Sequence, residues 1–114
     1  MGSGDLSIDG SSSYPVNDFG EVNNSSITLE PNVYNKVYAI NNLEINFASS
    51  IPGVINEFVV EINIGNSSVS LTLNDNITWL NNEAPNVFTN GNTIIISIVD
   101  SFGVWGEFVS YEPV

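Results

Sequence analysis

The sequence predicts an all-β domain, an antiparallel β-sandwich or jelly-roll-like fold with about seven or eight short strands. Apolar and polar residues alternate with a period of two through most of the chain after residue 25, and turn-forming Asn, Gly and Pro interrupt the alternation at short intervals. No segment carries apolar residues at helical spacing over three turns, and the abundant Asn and β-branched residues oppose helix formation.

The first half of the domain contains four predicted strands. The run 26–29 ends at the turn signal Glu30-Pro31-Asn32, and the run 33–40, rich in β-branched and aromatic residues, ends at Asn41-Asn42, where Asn permits a tight turn. The run 43–47 alternates cleanly between apolar and polar residues. The strongest strand is 56–64, one side of which is lined by Phe58, Val60, Ile62 and Ile64.

The second half contains four more predicted strands. The run 69–73 follows a hairpin turn expected at Gly65-Asn66-Ser67-Ser68, and the run 77–79 follows the turn Asn74-Asp75-Asn76. The run 93–99 is nearly continuous β-branched sequence, which is typical of a central strand covered on both faces. A turn at 100–103 leads to the last strand, 104–111. The alternation leaves the order of the strands open.

The region before the first predicted strand differs in composition. We expect residues 1–24 to combine an expression scar, Met1-Gly2-Ser3-Gly4, with a flexible arm or linker rich in Ser, Gly and Asn. Residues 25–114 then form the β-sandwich domain. Tyr14-Pro15-Val16 and Phe19 are the positions of the arm able to pack against that domain.

Charge and residue types exclude several functions. Of the 114 residues, 13 are Asp or Glu and one, Lys36, is a cation, so the formal net charge is −12. Nucleic acid and membrane surfaces are therefore excluded as partners, because their recognition requires several cations. The chain has no Cys and no His, which excludes disulfides, thiolate or imidazole metal sites and histidine-based catalysis. We expect no cofactor and no enzymatic activity.

A series of short segments has a distinctive order along residues 26–108. The segments are Ile27-Thr28-Leu29-Glu30-Pro31-Asn32-Val33-Tyr34, Leu43-Glu44-Ile45, Asn56-Glu57-Phe58, Leu71-Thr72-Leu73, Trp79, Asn82-Glu83-Ala84-Pro85, Ile96-Ser97-Ile98-Val99 and Gly103-Val104-Trp105-Gly106-Glu107. In this order they resemble a small β-domain of structural proteins of tailed bacteriophages and prophages. The chain departs from that pattern in its short Asn66-Ser67-Ser68 loop and in Asn90-Gly91-Asn92, which lacks the Lys or Tyr often found there.

The resemblance implies a virion location, in a tail, baseplate or head fibre. It further implies a non-enzymatic module of a multimeric protein, which contributes to appendage assembly and to host attachment. The expected partners are further copies of the chain, with a trimer favoured, and other virion proteins, while a bacterial surface glycan is an additional candidate.

Five aromatic residues are the candidate ligand-binding positions. Trp79 and Trp105 could stack on a sugar ring, although closing the end of a small core is the favoured interpretation. Tyr34, Tyr38 and Tyr111 could form a surface platform, although capping a sheet edge with the hydroxyl in water is more common. The alternative function is therefore a carbohydrate-binding module that recognises a bacterial cell-surface glycan. A secreted adhesin domain is a third possibility.

The carboxylates are the remaining candidates for chemistry. Glu57 and Glu61 share one strand face but lie four residues apart, roughly 13 Å at the rise of a strand, which is too far for the paired acids of a glycosidase. Asp75 and Asp100 are weak candidates for a calcium site, because Asn and Asp at turns normally serve turn geometry. We therefore predict no catalytic site and no metal site.

Overall fold

The computed structural model describes residues 14–66, 69–82, 84–85, 89–100 and 104–111. Within these ranges the protein is all-β in two sheets, which confirms the prediction of an all-β protein. The strands are β1 (Val16–Val22), β2 (Ser25–Leu29), β3 (Tyr34–Ala39), β4 (Leu43–Phe47), β5 (Asn56–Ile64), β6 (Leu71–Leu73), β7 (Thr78–Trp79), β8 (Thr93–Asp100) and β9 (Val104–Tyr111). A short 3₁₀ helix, Leu80–Asn82, follows β7. No helix in the described ranges is long and apolar enough to cross a membrane.

The larger sheet has six strands in the order β1-β3-β5-β8-β9-β7, and the smaller sheet has three in the order β2-β4-β6. Among the described strands, β5–β8 and β8–β9 pair antiparallel. The other five pairs, β1–β3, β3–β5, β2–β4, β4–β6 and β7–β9, are parallel. The expectation of antiparallel sheets is therefore wrong for most of the pairings.

The parallel pairing follows from how the chain passes between the sheets. From β1 to β6, consecutive strands alternate between the two sheets, so that β1–β2, β3–β4 and β5–β6 form three stacked coils. Parallel neighbours need a crossover connection, and here the strand in the opposite sheet supplies it. The turns at Asn23-Asn24 and Asn41-Asn42 therefore carry the chain across to the other sheet, and Asn24 adopts a positive φ of 52° to do so. The hairpin expected after residue 64 is likewise a crossing, from β5 to β6.

Strand β1 occupies part of the region expected to be a flexible arm. It pairs with β3 from Val16 to Val22, with an irregularity between Asp18 and Glu21 where Gly20 has a φ of 71°. Phe19 and Val22 pack against the hydrophobic core, which confirms the expectation for Phe19. The scattered apolar residues of this segment are sufficient for a strand because the neighbouring strand β3 supplies the pairing partner.

The core is almost entirely aliphatic and receives alternate residues from both sheets. Its buried members are Ile27, Leu29, Val37, Ala39, Leu43, Ile45, Phe58, Val60, Ile62, Ile64, Val69, Ile94, Ile96 and Ile98. The inward row predicted for β5 is confirmed. The ring of Phe58 also meets that of Phe47 edge to face, with centroids 5.3 Å apart. Strand β8 is central, as predicted, but Ile95, Ser97 and Val99 on its other side are only half-buried.

Candidate functional site

The predicted tyrosines Tyr34 and Tyr38 lie on β3 and face away from the core. They alternate with the buried residues Asn35 and Val37. Tyr34 is half-buried, and its hydroxyl donates to Oε1 of Glu61 on β5 at 2.8 Å, whereas Tyr38 is 44% exposed. Since β3 lies between β1 and β5, both tyrosines stand on the outer face of the larger sheet and not at its edge.

A hydrogen-bonded network surrounds Glu61 on this outer face. Oε2 of Glu61 accepts a bond of 2.9 Å from Nδ2 of Asn63 and lies 4.0 Å from Nζ of Lys36. Oδ1 of Asn63 in turn accepts a bond of 2.7 Å from the hydroxyl of Thr93 on β8. An ion pair this exposed contributes only about 0–1 kcal/mol. The network links polar side chains across β3, β5 and β8.

Glu57 links Tyr14, the first described residue, to the outer face of the larger sheet. Its Oε1 accepts a bond of 2.9 Å from the hydroxyl of Tyr14, and its Oε2 accepts one of 2.8 Å from Ser97 on β8. Partial burial raises the pKa of Tyr14, and the hydrogen bond to Glu57 and the negative charge of that carboxylate raise it further. Tyr14 thus packs against the domain, as the sequence suggested.

The two tryptophans named as candidates lie on β7 and β9, the two strands at the end of the larger sheet that is farther from β1. Trp79 on β7 is half-buried and packs against the hydrophobic core, beside a groove of about 340 Å³ that also includes Asp75 and Asn76. Trp105 and Tyr111 lie on β9, opposite Val99 and Thr93 of β8. The side chains of Trp105 and Tyr111 fall outside the part of the chain that the structure describes.

The two weak metal candidates lie in different segments, Asp75 before β7 and Asp100 at the end of β8. Oδ1 of Asp75 accepts a bond of 2.8 Å from the backbone N–H of Asn76, and Oδ2 of Asp100 accepts one of 2.6 Å from the hydroxyl of Ser50. Within the described ranges, no three His, Cys, Asp or Glu side chains converge on a point where a metal ion could be held. Asp75 thus stabilises its own turn, whereas Asp100 joins the end of β8 to the loop after β4.

A loop with exposed aliphatic side chains precedes β5. The sequence pattern did not predict this exposed surface. Ile51, Val54 and Ile55 are 46%, 56% and 68% exposed. The loop is held in shape by Asn56, which is only 3% exposed. Nδ2 of Asn56 donates to the carbonyl oxygens of Ile51 and Val54 at 3.0 and 3.1 Å, and its Oδ1 accepts from the N–H of Ile51 at 2.8 Å. We call residues 51–55 the apolar loop.

A column of asparagines lines the corner where each coil crosses between the sheets. Nδ2 of Asn41 donates to Oδ1 of Asn23 at 2.6 Å, and Nδ2 of Asn66 donates to Oδ1 of Asn41 at 3.5 Å. The signal for this column is present in the sequence, because residues 22–29 and 40–47 both begin with an aliphatic residue followed by Asn-Asn and share an Ile at equivalent positions, Ile27 and Ile45. The register pairs those two isoleucines, which lie 18 residues apart.

Comparisons with family models, with curated proteins and with solved structures returned no match.

Proposed function

We propose that this protein is a non-enzymatic structural module of a phage or prophage virion, contributing to appendage assembly and to host attachment. Its two sheets act as a β-sandwich-like body, and the chain functions as a homo-oligomer, with a trimer favoured. The apolar loop is the observation that carries this proposal. Three exposed aliphatic side chains on one short loop are costly in water and are typical of a surface that contacts another protein.

The shape of the apolar loop strengthens the argument for contact. The side-chain amide of Asn56 makes hydrogen bonds to the backbone of the loop. Ile51, Val54 and Ile55 are therefore held outward in one conformation before a partner binds. A loop ordered in advance loses little conformational entropy on association. Val16, which is 64% exposed, begins β1 at the same end of the larger sheet.

The chemistry of the polar side chains also favours contact over catalysis. The chain has no His and no Cys. Glu57 and Glu61, the carboxylates on the central strand β5, accept hydrogen bonds from hydroxyl and amide groups of neighbouring strands. These bonds make the two carboxylates part of the network that links neighbouring strands of the larger sheet.

Light scattering coupled to size-exclusion chromatography tests the proposal. We expect the wild-type protein to be an oligomer and the double variant Val54→Ser/Ile55→Ser to be a monomer with unchanged circular dichroism. Leu80→Ser is the matched control, because Leu80 is 46% exposed but lies outside the apolar loop. Salt of about 0.5 M should strengthen the association by screening the repulsion between chains of charge −12. A strictly monomeric wild-type protein at high concentration would refute the oligomer.

A second candidate function is carbohydrate binding at the outer face of the larger sheet. The exposed ring of Tyr38 stands beside the ordered network of Glu61, Asn63 and Thr93, and this arrangement offers both a stacking surface and hydrogen-bonding groups. Calorimetric titration with bacterial cell-wall polysaccharide tests it. Tyr38→Ala should abolish binding while Tyr38→Phe, which keeps the ring, should retain most of it. Equal binding by the two variants would exclude this face.

A further inference from the structure

We infer that the outer surface of the smaller sheet carries a separate binding groove for a neutral or amino-sugar oligosaccharide. The groove has a volume of about 480 Å³ and lies across the beginnings of β2, β4 and β6. A volume of this size falls within the range of small-molecule sites, about 300–1,000 Å³. The groove is separate from the apolar loop and from Tyr38, so binding there is independent of the proposed structural role.

The stacking of the coils builds the groove from equivalent positions. Ser26, Glu44 and Thr72 are paired side by side across the three parallel strands. Neighbouring strands lie about 4.8 Å apart, so these three side chains form a row roughly 10 Å long. All three are exposed. A row of hydroxyl, carboxylate and hydroxyl groups at regular intervals suits a ligand that presents hydroxyls repeatedly along its length.

A second row, formed by Asn24, Asn42 and Ser70 two residues before the first, is ordered by bonds within the protein. Oδ1 of Asn24 accepts a bond of 3.1 Å from the backbone N–H of Asn42, and Oδ1 of Asn42 accepts one from the hydroxyl of Ser70. These bonds use the amide oxygens and leave the Nδ2 groups of Asn24 and Asn42 as donors. Because the oxygens are already engaged, the orientation of both amides is set before a ligand binds.

Glu44 is held in a similar way. Its Oε2 accepts a bond of 2.6 Å from Nδ2 of Asn74, which positions the carboxylate and leaves Oε1 for a ligand. Nδ2 of Asn74 also donates to Oδ1 of Asn46 at 2.8 Å, so the supporting amide is itself fixed. The groove therefore combines a preorganised acceptor with two preorganised donors and the hydroxyl groups of Ser25, Ser26, Ser70 and Thr72.

The lining decides the chemical class of the ligand. None of the described residues that line the groove is aromatic or cationic, and its aliphatic member, Leu43, is buried. An apolar peptide would find no contact for its side chains. An anionic polymer would be repelled by Glu44 and by the net charge of −12. A hydroxyl-rich ligand that is neutral or carries ammonium groups remains.

Amide chemical shifts in ¹⁵N-labelled protein test the inference. The probes are cellohexaose as a neutral glycan, a glucosamine hexamer as a cationic one and an oligogalacturonate as an anionic one. We expect the first or the second to shift the amides of Ser26, Asn42 and Thr72, and the third to shift none of them. An absence of shifts in these residues with both the neutral and the cationic probe would overturn the inference.

Three variants sharpen the test. Glu44→Ala should weaken binding by about tenfold, as expected for loss of a hydrogen bond to a charged group. Glu21→Ala is the matched control, because it removes the same charge from an exposed position on β1 and should leave binding unchanged. Ser26→Trp should block the groove. Equal effects of the two Glu variants, or shifts confined to Tyr34 and Tyr38, would show that the groove is not the site.

Discussion

Nδ2 of Asn35 on β3, a fully buried side chain, donates a hydrogen bond of 2.9 Å to the backbone carbonyl oxygen of Val59 on β5. The same nitrogen also lies within hydrogen-bond distance of the carbonyl oxygens of Glu30 and Val33, while Oδ1 accepts a bond of 3.3 Å from Nδ2 of Asn17 on β1. One polar side chain thus ties together the three parallel strands of the larger sheet and the turn that leads into β3.

Asn35→Ala should lower the free energy of unfolding by about 2–3 kcal/mol. The substitution leaves buried donors and acceptors without partners, and each such group costs about 1–3 kcal/mol. Urea denaturation followed by circular dichroism measures the change. Asn76→Ala is the matched control, because Asn76 is exposed, and its effect should stay within about 0.5 kcal/mol. Similar effects of the two substitutions would contradict the role assigned to Asn35.

Asn56→Ala should release the apolar loop. The N–H of Ile51 loses its acceptor, Oδ1 of Asn56, so its hydrogen exchange should become about tenfold faster or more, which corresponds to a loss of about 1.4 kcal/mol. Hydrogen exchange followed by NMR measures this amide directly. Asn63→Ala, on the same strand but with its side chain on the outer face, should leave the exchange of Ile51 unchanged. Unaltered exchange in Asn56→Ala would show that the loop is ordered by other contacts.

Gly65→Ala should destabilise the crossing between β5 and β6. A Cβ at this position would lie 2.8 Å from the backbone carbonyl oxygen of Ala39, and a backbone atom has little freedom to move away. The cost of such overpacking is typically about 1–3 kcal/mol. Gly20→Asn is the comparison, since a Cβ there meets nothing within 4 Å and Asn tolerates the positive φ. Thermal unfolding should rank Gly65→Ala as the less stable variant; the reverse order would be evidence against the close approach.

The contact between Tyr14 and Glu57 should depend on pH in one direction. The pKa of Tyr14 is raised in the folded protein above its ordinary value of 10.0, so the contact contributes stability that is fully present below that value. The contribution is lost as the pH rises through the folded-state pKa. Measured from about pH 8 to about pH 11, the difference in unfolding free energy between the wild type and Tyr14→Phe should therefore stay constant below about pH 10 and shrink above it. A difference that stays constant over this range would exclude the linkage.

Trypsin should cut the folded protein slowly. Lys36 is its single cleavage site and lies on β3, which is paired on both sides, by β1 and β5. Cleavage then follows the population of opened molecules, so Asn35→Ala should be cut faster in proportion to its loss of stability. Gel electrophoresis of timed digests measures both rates, with urea-unfolded protein as the control for intrinsic cleavage. Rapid cutting of the native wild type would show that β3 is not held as described.

The column of asparagines at the crossings between the sheets could be predicted only in part from the sequence. Asn41-Asn42 predicts a turn correctly, but the same residue pair suits a hairpin and a crossing between sheets equally well. The equivalence of residues 22–29 and 40–47 was the available signal for stacked coils, since a repeat of 18 residues implies two strands per coil. The bonds between Asn23, Asn41 and Asn66 then follow from the stacking.

The candidate site was predictable in part. The outward position of Tyr34 and Tyr38 follows from alternation along β3, whereas the bond between Tyr34 and Glu61 depends on the pairing of β3 with β5. The apolar loop and the groove were not predicted. Ile51, Val54 and Ile55 look in sequence like residues that could be buried, and Ser26, Glu44 and Thr72 are too far apart in the chain to suggest a common surface.

The sequence by itself determined that the fold is all-β, the position of most strands and, for strands such as β5, the side that is buried. These properties depend on local alternation, because only one face of a strand can meet the core. Tertiary structure alone decided which strands are neighbours and in which direction they run. A period of two satisfies parallel and antiparallel partners equally, so the choice rests on contacts between residues distant in the chain, such as Asn35 with Val59.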